Sequence, residues 1–126
     1  MARTIVFPTD ENNGLASLRG AHFGRARYYT VVTLEDNGEI IKVDGIKNTG
    51  HTEGGCGGAI RNITDLGADA LVVAGIGGSP LKGFIQRGLN VFHDNISVTV
   101  QASLAAMSAG RLAAMQPEMS CSHHAR

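Results

Sequence analysis

Tryptophan is absent, cysteine occurs twice, and neither sign of charge is in excess in this chain of 126 residues. Each shortage excludes something. Without tryptophan, and with 17 glycines, the domain relies on backbone turns more than on large aromatic anchors. Eleven Lys and Arg against eleven Asp and Glu leave no basic footprint for a phosphate backbone, so no nucleic-acid partner is expected. No long hydrophobic run is present. The opening MARTIVFP turns polar at TDENN, too soon for a signal peptide or a membrane span, so a cytoplasmic protein with no membrane partner is expected. Two cysteines could form only one bridge. Cys56 lies in the body of the chain and Cys121 in a polar tail, so both are read as free thiols, and no Cys-x-x-Cys redox pair exists. The length and a 43% hydrophobic content suit one core, assigned to residues 1–115, with residues 116–126 as a flexible tail.

What is there reads as alternating α and β segments. RTIVF (3–7) is β-prone and should stop at Pro8, which cannot donate to a ladder. YYTVVTL (28–34) and EIIKVDGI (39–46) flank EDNG, whose Asn-Gly predicts an antiparallel hairpin. Ala59, Ile60, Ile63 and Leu66 fall at helical spacing, with Gly67 placed as a left-handed cap. ALVVA (70–74) is an unbroken apolar run, as in a strand covered on both faces. Ser79 as N-cap, Pro80 as the first helical residue and an apolar face of Leu81, Phe84 and Ile85 predict a helix closed by Gly88. LNVFHD is a short strand, and a third helix is expected from about Thr99 through Met115, packing Val100, Leu104 and Met107 on the sheet. The sum is an α/β domain with a mixed five-stranded sheet, an antiparallel hairpin plus parallel strands, and three helices.

Ligands of an open α/β sheet favour the crevice beyond the carboxyl ends of its parallel strands. Pro8-Thr9-Asp10, Gly75 to Ser79 and His93-Asp94-Asn95 collect there, with Gly54 to Gly58 expected nearby. The two glycine-rich segments lead into helix N-termini, where free N–H groups favour an anion; simple tight turns would use the same residues. Neither fits a P-loop or a dinucleotide fingerprint. Cys56 at such a terminus would be a nucleophile or a soft-metal ligand, or else a small buried hydrophobe. His22 is a candidate metal ligand or an ordinary loop histidine, and Gly24 and Arg25 beside it would admit and neutralise an anion. Cys121, His123 and His124 form a short metal-prone tract in the tail. Asp10, Asp44, Asp69 and Asp94 are too scattered for a two-metal nuclease, with Asp69 expected at the opposite end of the sheet. Pairing Cys56 with His51 or His93 would suggest acyl transfer, but no third, orienting group is evident.

His22-Phe23-Gly24-Arg25-Ala26, the glycine-rich Cys56 segment and Gly75-Ile76-Gly77 together resemble the dinitrogenase iron-molybdenum cofactor biosynthesis family over about residues 3 to 115. That resemblance implies a ribonuclease-H-like three-layer α/β fold without nuclease activity. It also implies non-enzymatic carriage of an anionic metal-sulfur cluster or its precursor, of iron-molybdenum or, as in the orange protein, molybdenum-copper type. His22 is the leading ligand, Cys56 a second, and Gly55, Gly57, Gly58, Gly77, Gly78 and Ser79 a cradle of N–H groups. The implied partner is a cluster donor or acceptor protein of an assembly pathway, and a homodimer stays open. Two alternatives stand beside this one: a thiol-dependent enzyme using Cys56, and a metal-free interaction module of an assembly system.

Overall fold

The computed structural model describes residues 2–20, 26–47, 63–76 and 78–115, with 78–80 as backbone only. One mixed sheet runs through them. Its strands are β1 (Arg3–Thr9), β2 (Tyr28–Leu34), β3 (Ile40–Lys47), β4 (Ala70–Val73), β5 (Asn90–His93) and β6 (Ala113–Ala114), in the order β3-β2-β1-β4-β5-β6. β1 pairs antiparallel with β2 and parallel with β4, β4 pairs parallel with β5, and β6 returns antiparallel along β5. Helix α1 spans Gly78–Gln86 and α2 spans Val100–Ser108; residues 63–65 are also helical.

The β2-β3 hairpin follows from its sequence. Gly38 adopts φ 89° at the turn, which side chains other than glycine's resist, and the Glu35 and Gly38 amides close it on the carbonyls of Glu39 and Glu35. Gly67 and Gly88 take φ values of 75° and 85° where the helical residues before them stop, as left-handed caps should.

Alternation along the strands builds two cores, one per face. Val6, Leu71, Val73 and Val91 pack with Ile63 and with Leu81 and Phe84 of α1. Ile5, Phe7, Val32, Ala70 and Val72 pack with Val100 and Leu104 of α2, and Met107 joins them as expected. β4 is therefore buried on both faces, which is why its sequence carries no polar alternation.

Four expectations need correction. The sheet has six strands, because α2 ends at Ser108 and not at Met115: Gly110 turns the chain at φ 72° and releases Ala113–Ala114 to pair with β5. β1 continues through Pro8 to Thr9. The Pro8 carbonyl accepts from the Gly20 N–H on the side away from β2, where the ladder to β4 has already ended at Val6, so no N–H is needed there. β3 runs one residue later than expected, to Lys47. Finally, α1 begins at Gly78, which puts Ser79 inside the first turn and not at its cap.

Candidate functional site

The carboxyl ends of β1, β4 and β5 deliver three chain segments to one edge of the sheet. After Thr9 the chain loops out and comes back: the Asp10 N–H donates to the Leu18 carbonyl, and the Gly20 N–H to Pro8. The Arg27 N–H then donates to the Thr9 carbonyl, and Gly20 lies directly against Ala26. The chain thus leaves at Gly20 and re-enters at Ala26 with both stems fastened to the end of β1. Thr9 itself is buried, its hydroxyl donating to the Glu11 carbonyl at 2.9 Å and lying 3.1 Å from the Thr30 hydroxyl.

The loop after β5 is organised by Asp94. One carboxylate oxygen accepts from the Ile96 and Ser97 N–H groups, both at 3.0 Å, and the other from the Ser103 hydroxyl of α2 at 2.7 Å. Burial alone would raise this carboxyl's pKa; the bonds from Ser97, Ser103 and Ile96 outweigh it and hold the group well below the usual carboxylate range. Arg19 joins the same cluster from across the sheet edge. Its Nη1 donates to the carbonyls of Asp94 at 2.7 Å and Ser97 at 3.0 Å and lies 3.7 Å from the Asp94 carboxylate. Only 3% of either side chain is exposed. Burial lowers the Arg19 pKa and the Asp94 charge acts against that. The Arg19 Nε is buried without a hydrogen-bond partner among the described residues.

A cleft of about 350 Å³ opens beside this cluster, lined by Arg19, Gly20, Ala74 and the loop from Asn95 to Val98. A second, of about 510 Å³, lies on the other side of that loop, against α2 and Arg111. The His93 Nε2 sits 3.1 Å from the Ala74 carbonyl and so carries the proton and donates to it. That nitrogen is unavailable as a general base for a thiol.

Few of the residues singled out in the sequence are among the described ones. His22, Gly24, Arg25, Gly55, Cys56, Gly57, Gly58, Gly77, Cys121, His123 and His124 lie outside the described residues, as does His51. Gly78 and Ser79 are present as the first backbone turn of α1. Asp69 is at the amino end of β4, as expected, exchanging bonds with the Thr4 backbone. Among the described residues no three His, Cys, Asp or Glu groups converge on a metal position, and no helix is long and apolar enough to cross a membrane. The Arg19–Asp94–Ser103 cluster was not anticipated. Half of it is legible: Asp94 accepting from the amides two and three residues on is a local Asx-type turn. Arg19, 75 residues away, carries no such signal.

The sequence comparison decides the family. Residues 3–110 match the dinitrogenase iron-molybdenum cofactor family. The chain belongs to that family. A further member of the comparison, the uncharacterized protein MJ0580 of Methanocaldococcus jannaschii, is 34% identical over 95 residues, covering 72% of this chain and 74% of its own. Among solved structures, the apo form of the orange protein from Desulfovibrio gigas superposes with a TM-score of 0.76 at 20% identity, over 90% of this chain and 92% of that one. The crystal structure of PH0822 gives 0.73 at 24%, over 89% and 96%. These two likenesses show a shared fold.

Proposed function

We propose that this protein binds and carries an anionic metal-sulfur cluster, or a precursor of one, during metallocofactor assembly, and that it does so without turnover. The observation that carries the reading is the pinning of Gly20 and Arg27 to Pro8 and Thr9. It fastens the described residues on either side of the 21–25 segment, which carries the His22-Phe23-Gly24-Arg25 motif, to the carboxyl end of β1, and Gly20 also lines the 350 Å³ cleft. The chain also passes from the end of β4 at Val73 to the start of α1 at Gly78 at this edge, and a helix N-terminus favours negative charge. The same reading treats the sheet as ribonuclease-H-like, with its carboxylates given other work: Asp94 is saturated by hydrogen bonds and Asp69 sits at the far end.

In this scheme His22 is the principal metal ligand and Cys56 a second. Arg25 and the amides of Gly55 to Gly58 and Gly77 to Ser79 meet the charge of an iron-molybdenum or molybdenum-copper type cargo. Few covalent ligands suit a carrier, which must release what it holds to a donor or acceptor protein. The tail ligands Cys121, His123 and His124 are a costlier set. β6 runs antiparallel to β5, and the Met115 N–H bonds the Val91 carbonyl, so the chain is heading away from the carboxyl edge as the tail begins. A thiol enzyme gains no support from His93, whose Nε2 is already engaged.

Anaerobic reconstitution followed by metal and sulfide analysis tests the proposal. The wild type should take up cluster, with loss of most of it in His22→Ala and a smaller loss in Cys56→Ala. Equal uptake by all three, or none by the wild type, would remove the assignment.

A further inference from the structure

The outer edge of the sheet is the place where the structure says more. β3 has β2 as its neighbour on one side and no strand among the described residues on the other. Seven of its eight residues are exposed, including Ile40 at 43%, Ile41 at 53% and Ile46 at 36%, and only Val43 is half-buried. An eight-residue edge with three exposed isoleucines is a template for another strand. Charged side chains commonly keep such an edge apart, and β3 carries Lys42, Asp44 and Lys47. Their order is the informative point.

We propose that two copies of this chain associate through β3, pairing antiparallel about a two-fold axis at Val43 to continue the sheet from one copy into the other. A two-fold axis normal to a continuous sheet leaves every side chain on its own face, so the allowed registers are those centred on a residue. Centring on Lys42 sets lysine opposite lysine, and centring on Asp44 sets aspartate opposite aspartate. Centring on Val43 places Lys42 of each copy opposite Asp44 of the other, twice, and Val43 opposite itself. Lys42 and Asp44 already lie on one face, 3.3 Å apart, with side chains 67% and 48% exposed. Pairing converts this weak intrachain contact into a ring of four alternating charges, the favourable cross-strand arrangement.

A single strand pair is a small interface, so association should be concentration-dependent, and sedimentation velocity is best run from about 10 μM to about 1 mM. The wild type should move toward twice its 13.2 kDa protomer mass across that range. Lys42→Asp and Asp44→Lys should each weaken association about tenfold or more, because each sets like charges opposite one another twice. An equimolar mixture of the two variants should dimerise like the wild type, since every like pair becomes an opposite pair, and so should the double variant carrying both substitutions. Both positions are exposed, and recovery in the mixture reports on folding as well as pairing. A wild type that stays at protomer mass throughout overturns the proposal. So does a dimer that neither reversal weakens, which would join through another surface, or a mixture no better than its components.

Discussion

All four residues of β4 are buried, whereas in β3, separated from it by β1 and β2 in the same sheet, Val43 alone is even half-buried. β4 reads ALVV, with no polar residue, and β3 reads IIKVDGIK, with three charges, and their cover divides in the same way. Helices close both faces over β4, with Phe84 and Leu81 on one side and Val100 and Leu104 on the other, while β3 has no strand on its outer side among the described residues and is exposed at seven of its eight positions. Stability in this domain is therefore concentrated at the parallel centre, where dispersion and apolar burial accumulate. The periphery keeps charged and exposed side chains. The ends of the strands repeat the contrast: the amino edge carries Asp69 bonded to the Thr4 backbone, while the carboxyl edge carries a buried ion pair and a cleft.

Substitutions at graded distances from the centre can break or sharpen this picture. Phe84→Ala, at a side chain with no exposure, should cost about 3–5 kcal/mol in urea-unfolding free energy. Asp94→Ala comes next, at about 3 kcal/mol by the same measurement, because it strips Arg19 of a buried counter-charge and leaves Ser103 without its acceptor. The Asp94 cluster also has a pH signature. Its carboxyl titrates lower when folded than unfolded, so its contribution is complete above the unfolded value of about 4 and declines as pH falls below it. Unfolding free energies at neutral pH and near pH 3 should therefore differ more for the wild type than for Asp94→Asn. Thr99→Ala should cost about 1 kcal/mol, since the threonine hydroxyl caps α2 through the Ala102 N–H at 3.2 Å. Ile41→Ala on the outer strand should stay within about 0.5 kcal/mol when measured in dilute solution. A cost for Ile41→Ala approaching that for Phe84→Ala would show that the edge is covered in solution.

The candidate site was legible in a particular way. Its location, at the carboxyl ends of parallel strands, follows from the βαβ order of the chain. Its leading ligands, His22 and Cys56, are read from motif chemistry and lie outside the described residues. The buried Arg19 is a different matter. Nothing in SLRGA distinguishes that arginine from a solvated one, because its acceptors at Asp94 and Ser97 are brought to it by the fold alone.

By itself the sequence determined the pieces. The Asn-Gly hairpin, the caps at Gly67 and Gly88, the apolar run of β4 and the face of Leu81 and Phe84 all rest on sterics and periodicity acting within a few residues. Only the tertiary structure decided the carriage of β1 through Pro8, the return of Ala113–Ala114 as a sixth strand and the meeting of Arg19 with Asp94. Each depends on which neighbour stands across a gap: a proline is tolerated where the ladder has ended, a two-residue strand forms where an edge is open, and a guanidinium is buried where carbonyls and a carboxylate await it. Such neighbours are set by chain segments far apart in sequence, and packing alone brings them together.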